Sequence, residues 1–159
     1  MSTLVATTPV AGGTMRAIQA IAAAGLVCGT LDGISALLAS GANWMRVFQF
    51  IASGLLGPDA FKLGIKGALI GIACHYLIAT TATMVYYATS RGFPVLLDKA
   101  LVCGVLYGVC VHLFMQFVAV PMSAIGRRPF NLQAFVLYLA IHMVVVGPSI
   151  ALTLRRVLR

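Results

Sequence analysis

The sequence predicts an all-α integral membrane protein: a bundle of four transmembrane helices, with one short interfacial or re-entrant helix between the first and second spans. Three observations predict it. Only 9% of the 159 residues are charged and 61% are hydrophobic, with a mean hydropathy of +1.03, whereas a soluble domain carries about 25% charged residues. Four apolar runs reach the ~20 residues needed to cross a hydrocarbon core. Within those runs small residues recur every four positions, the spacing that lets helices pack closely where lipid supplies no hydrophobic drive.

Residues 1–15 are small and uncharged, lack the basic start of a cleaved signal, and read as a flexible tail. The expected spans are about 17–39, 66–89, 100–121 and 131–154, within a single transmembrane domain over 16–156; residues 157–159 form a C-terminal tail. The first run contains one charge, Asp32; the second is uncharged after Lys66 at its edge, and the other two contain none. Between the first two lies "RVFQFIASGLLGPDAFK". Its uncharged part is too short to cross and stops at Gly57-Pro58, so an interfacial or re-entrant helix is expected over about 44–57, with Trp44 at the headgroup boundary. Residues 90–99 and 126–131 read as polar turns.

The net charge of +8 raises the question of nucleic acid. The eleven Lys and Arg fall singly or in pairs beside the apolar runs, as headgroup-contacting flanks do, and form no phosphate-reading patch. Nucleic-acid binding is therefore excluded as an expectation, and the partner is the lipid bilayer. Four spans put both ends on one side. That side carries Arg16, Arg91, Lys99, Arg155, Arg156 and Arg159 against Arg46, Lys62, Lys66, Arg127 and Arg128, a small excess that places the termini in the cytoplasm. Cys28, Cys74, Cys103 and Cys110 lie inside apolar runs without a C-x-x-C pair and read as buried apolar residues.

The glycine ladders are Gly25, Gly29 and Gly33 on the first span, Gly67 and Gly71 on the second, and Gly104 and Gly108 on the third. Residues four apart share a helical face. The ladders continue into His75 on the second span, and into His112 and Gln116 on the third. "GALIGIACH" and "GVLYGVCVH" match in pattern, a weak internal repeat.

Asp32, His75, His112 and His142 place one ionisable group in each span. Counted along each helix at 1.5 Å per residue, all four fall about 12 to 16 Å below one membrane face. Gln116 and Tyr138 belong to the same candidate layer, Tyr138 being one turn before His142. Gly147-Pro148 is expected to kink the fourth helix one turn past His142. Four readings of the layer stay open. It is a hydrogen-bonded network that fixes helix register, a proton or ion pathway, a haem b held between two histidines, or a transition-metal site of histidines and one carboxylate. No zincin, P-loop or dinucleotide motif is present, and the chain contains no Glu. "GISA" at 33–36 is too little to make Ser35 a nucleophile. No catalytic residue, and no enzyme, is expected.

At "RVFQFIASGLLGPDAF", "YYATSR", "LYGVCVHLFMQFVAVPMSAIGRRPF" and "IHMVVVGPSIAL" the chain resembles a family of small, uncharacterised bacterial inner-membrane proteins. The resemblance covers most of the chain after residue 25. It implies four spans and a bacterial inner (cytoplasmic) membrane, and it assigns no activity and no site residue. The expectation is a non-enzymatic accessory or assembly subunit, or a homo-oligomer, held by glycine-mediated packing. The alternatives are a small proton- or ion-coupled transporter or channel using Asp32 and the histidines, and a haem-binding electron-transfer subunit.

Overall fold

The computed structural model describes residues 11–159, and they are helical almost throughout, with no strand among them. Helix α1 is Ala11–Ser40 and α2 is Trp44–Leu56, which runs on into a 3₁₀ turn, Gly57–Leu63. Helix α3 is Ile65–Gly92 and α4 is the single turn Val95–Asp98. Helices α5, Ala100–Met122, and α6, Leu132–Leu158, complete the chain. Four of them, α1 (from Gly13), α3, α5 and α6, are long and apolar enough to cross a membrane. The shortest, α5 with 23 residues, is about 34 Å long, which exceeds the ~30 Å hydrocarbon core.

The helices run further than hydropathy alone marks them. Of the expected tail, residues 11–15 are helical and residues 1–10 lie outside the described residues. At the other end, residues 157–158 are the last turn of α6, and both pack partly buried against the core. The apolar signal stops at the first polar residues, whereas helical hydrogen bonding continues through them. Similarly, the expected polar turn at 90–99 contains α4, whose Leu96 carbonyl accepts from the Tyr86 hydroxyl at 2.8 Å.

Side-chain caps set two helix starts. The Asn43 side chain accepts from the Met45 amide at 2.9 Å, and Asn131 Oδ1 from the Ala134 amide at 2.9 Å. Gly57 and Gly64, with φ of 63° and 54°, bracket the 3₁₀ turn and reverse the chain into α3.

Two wide turns interrupt the spans. Met115–Ala119 in α5 and His142–Val146 in α6 are π-helical, and in each a proline follows two residues later, Pro121 and Pro148. A proline ring clashes with the carbonyl four residues earlier, here Phe117 and Val144, and offers no N–H to it. Lengthening the hydrogen bond by one residue relieves the clash: the Val120 amide bonds to the Met115 carbonyl, and the Gly147 amide to the His142 carbonyl. The disturbance expected past His142 thus begins at His142 itself. Its counterpart in α5 was not expected, because Pro121 read as the end of a span.

The glycines set the packing. A Cβ on Gly25 would lie 2.7 Å from Thr80 Oγ1, and one on Gly29 2.7 Å from Tyr76 Cδ1; Gly33 faces His75 Nε2 at 3.4 Å. So α1 lies antiparallel along α3. Gly67 and Gly71 admit the backbone of Ala60 and Phe48, from the 3₁₀ turn and α2. Gly104 and Gly108 meet α6 at Gly147 and His142, and a Cβ on Gly108 or Gly147 would overlap the facing backbone. Small side chains fill much of the remaining core, with Ala20, Ala24 and Cys28 of α1 clustered with Ile150, Ala151 and Leu154 of α6. Tyr107 crosses from α5 to donate to the Ala82 carbonyl of α3 at 2.7 Å, its ring 4.9 Å from that of Tyr86.

Backbone contact of this kind makes a testable distinction. Gly71→Ala and Gly108→Ala must push two helices apart and should each destabilise by about 1–3 kcal/mol. Gly92→Ala, where the added methyl meets nothing, should stay within about 0.5 kcal/mol. Unfolding of the detergent-solubilised protein by sodium dodecyl sulfate or heat measures the difference.

Candidate functional site

The helix pairings bring the four ionisable residues to one level. Arg16 Nε donates to the Val157 carbonyl at 3.0 Å, which pins the start of α1 beside the end of α6. From there Asp32 lies about 24 Å along α1 and His142 about 22 Å back along α6. Gly29 and Gly33, on either side of Asp32, face Tyr76 and His75. His112 and His142 touch directly.

A shared level is not a shared network. His75 is buried and makes a bond of its own: its Nε2–H donates to the Gly29 carbonyl at 2.8 Å, and its ring meets Phe48 and Tyr76 edge-on. A carbonyl only accepts, so the neutral ring carries its proton on Nε2. That bond ties α3 to α1 at the floor of the glycine ladder.

His112 and His142 form the second group. Their ring centroids are 5.0 Å apart at 61°, and Phe135 closes the other side of His112 at 4.8 Å. The His142 Nδ1–H donates to the Tyr138 carbonyl at 2.8 Å. This leaves its Nε2 lone pair unused in the neutral ring. His112 is only 4% exposed, and its Nε2 is buried with no hydrogen-bond partner among the described residues. An unsatisfied buried polar atom costs about 1–3 kcal/mol. The pair is therefore a place where packing is satisfied and polarity is not. Gly108 produces it by letting α6 approach at His142, and the π turn beginning there sets where that ring sits.

The remaining layer residues stay apart. Asp32 is half-buried on α1, and neither it nor half-buried Gln116 makes a hydrogen bond or ion pair among the described residues. Tyr138 joins His142 through its carbonyl, not through its hydroxyl. No group of three or more His, Cys, Asp or Glu among the described residues is placed to hold a metal ion. The His112 and His142 rings are already in edge contact, so no macrocycle fits between them.

Sequence reading missed several partners. Phe135 lies seven residues before His142, on the same face, and that spacing was the available signal. Gln49, buried in α2, donates through Nε2 to the Gly64 carbonyl at 2.8 Å and closes the turn into α3. Phe48, Gln49, Ala52 and Ser53 recur at helical spacing on one face of α2, which marks them as its packed side. Gly147 was read only as a kink, yet it faces Gly104 and Gly108.

Compared with family models, with curated proteins and with solved structures, the chain shows no match in any of the three. The residues themselves therefore carry the functional reading.

The two histidines differ in what they leave unsatisfied, and their replacements should differ in sign. His112→Phe keeps the ring and removes the orphaned nitrogen, so it should leave stability unchanged or raise it by up to about 1 kcal/mol. His75→Phe removes a made hydrogen bond and should cost about 1–2 kcal/mol. Unfolding in detergent compares them; a larger loss for His112→Phe would show that its Nε2 has a partner in the membrane.

Proposed function

We propose that the protein is a small, non-enzymatic multi-pass protein of the bacterial inner membrane, with both termini in the cytoplasm, that works as a packed subunit of a larger membrane assembly. One observation carries this reading. All seven ladder glycines are occupied by the chain's own helices, which makes a close-packed body, while large apolar side chains cover its outside. Leu26, Leu38, Leu77, Leu106 and Val144 are among the most exposed. Such faces suit lipid and neighbouring spans alike. Apart from the segment 41–64, which holds α2, the connections between the long helices are short, so most of the contact area on offer lies on the apolar helices. Helix α2 is the interfacial element of this arrangement: it begins at Trp44 and lies across the start of α3.

Extraction of native membranes in a mild detergent, followed by native electrophoresis, tests the assignment. The chain should run well above one protomer with its detergent, and tagged and untagged copies expressed together separate self-association from a different partner. A lone protomer at native expression would defeat the reading.

A second reading rests on the His112–His142 contact. A histidine acting only as glue uses its nitrogens; His112 does not, and Asp32 lies unpaired at the same level. Intramembrane carboxylates and imidazoles in that state are the groups that pass protons or cations. In vesicles containing a pH-sensitive dye, the wild-type protein should then collapse an imposed pH gradient. His112→Phe and Asp32→Asn should each slow that collapse at least tenfold. Wild-type leakage equal to that of empty vesicles removes this reading and leaves the first.

A further inference from the structure

The strongest unassigned feature lies at the other end of α2. A cleft of about 280 Å³ opens between α2, its 3₁₀ turn and the loop joining α5 to α6. Phe50, Phe61, Pro58 and Ile125 supply apolar wall, and Arg128 is the one charged residue lining it. The loop is fastened here: the Ala124 amide donates to the Gly54 carbonyl at 2.9 Å. Ser53, also in the wall, has its hydroxyl engaged by the Phe50 carbonyl at 2.6 Å.

Two guanidinium groups flank the cleft. Arg128 Cζ lies over the Phe50 ring at 4.8 Å from its centroid, and Arg46 Cζ over the Phe61 ring at 5.3 Å. Stacking on an aromatic face orients a guanidinium and leaves its N–H edge free for an anion. Neither arginine makes an ion pair among the described residues. This end of the molecule carries five cations, Arg46, Lys62, Lys66, Arg127 and Arg128, against one carboxylate, Asp59. Asp59 is taken by Lys62 at 2.8 Å, and that ammonium holds its carboxyl below the usual carboxylate range. No protein anion here answers the two stacked arginines.

We propose that this cleft binds an anionic phospholipid of the surrounding bilayer, its phosphate on Arg128 and Arg46 and the upper part of one acyl chain against Phe50, Phe61 and Ile125. The position argues for lipid as the source of the phosphate. The cleft adjoins the end of α5 and the starts of α6 and α3, where headgroups lie when the four apolar helices span. Its surroundings, Leu55, Met122 and Phe130, are exposed and apolar, as suits hydrocarbon. Clustered Lys and Arg at a membrane surface attract acidic headgroups, and arginine pairs with phosphate through two parallel N–H bonds. The inference is independent of the assembly reading and of the histidine pair.

Native mass spectrometry of the full chain, released from micelles doped with equal phosphatidylglycerol and phosphatidylcholine, tests it. Phosphatidylglycerol should be retained at least tenfold over phosphatidylcholine. Arg46→Gln with Arg128→Gln should abolish that preference, while Arg155→Gln with Arg156→Gln, which removes the same charge at the opposite end, should preserve it. Ala124→Trp fills the cleft without touching a charge and should also weaken retention. Unchanged unfolding midpoints identify the variants that remain folded. Equal retention of the two lipids, equal loss in both arginine pairs, or undiminished retention in Ala124→Trp overturns the proposal. So does displacement of the lipid by millimolar inorganic phosphate, which would make the ligand a soluble anion.

Discussion

The contact of α5 with α6 at Gly104, Gly108 and Gly147 is the constraint on which the candidate site depends. Helices in lipid gain nothing from burying apolar side chains against one another, because the tails are equally apolar. They gain from dispersion and from weak Cα–H to carbonyl contacts, and both require backbones closer than any side chain permits. Gly108 faces the His142 carbonyl and Gly147 faces the Gly104 carbonyl, so each helix offers a missing Cβ to a carbonyl of the other. The register this fixes puts His112 against His142. Shift α6 by one turn and the rings would part.

The prolines cooperate with that contact. Pro121 and Pro148 each widen the turn before them, and the wider turn in α6 starts at His142. A π turn adds a residue without a full turn of helix, so side chains beyond it rotate relative to those before it. Gly147 and Pro148 follow immediately and are both buried. The same pair of residues thus closes the helix contact and sets the angle at which the histidine leaves the helix. Packing and site are one piece of geometry here, and that is why an unsatisfied nitrogen can persist in a well-packed region.

Helix α2 organises the opposite end by the same means. Gly67 and Gly71 admit it against α3, Gln49 seals the turn between them, and the Gly54 carbonyl holds the α5–α6 loop. An element that a hydropathy reading places on the membrane surface is therefore also a clamp between α3 and the α5–α6 loop. Phe50 of α2 and Phe61 of the 3₁₀ turn carry the arginines that stand unpaired there.

The four spans were legible in the sequence because crossing a bilayer demands about 20 apolar residues in a row, a requirement that acts on each segment separately. The glycine ladders were legible for a similar reason: spacing along one helix fixes which residues share its face. The expectation of a common depth for Asp32, His75, His112 and His142 needs only the rise per residue. What spacing along one helix cannot contain is the rotation of that helix about its axis relative to its neighbours. Only the tertiary structure decided that His75 turns to Gly29, that His112 turns to His142, and that Asp32 turns to neither. Four polar residues at one height read as a layer in sequence, and helix rotation divides them into a satisfied hydrogen bond, an unsatisfied pair and an unpaired carboxylate.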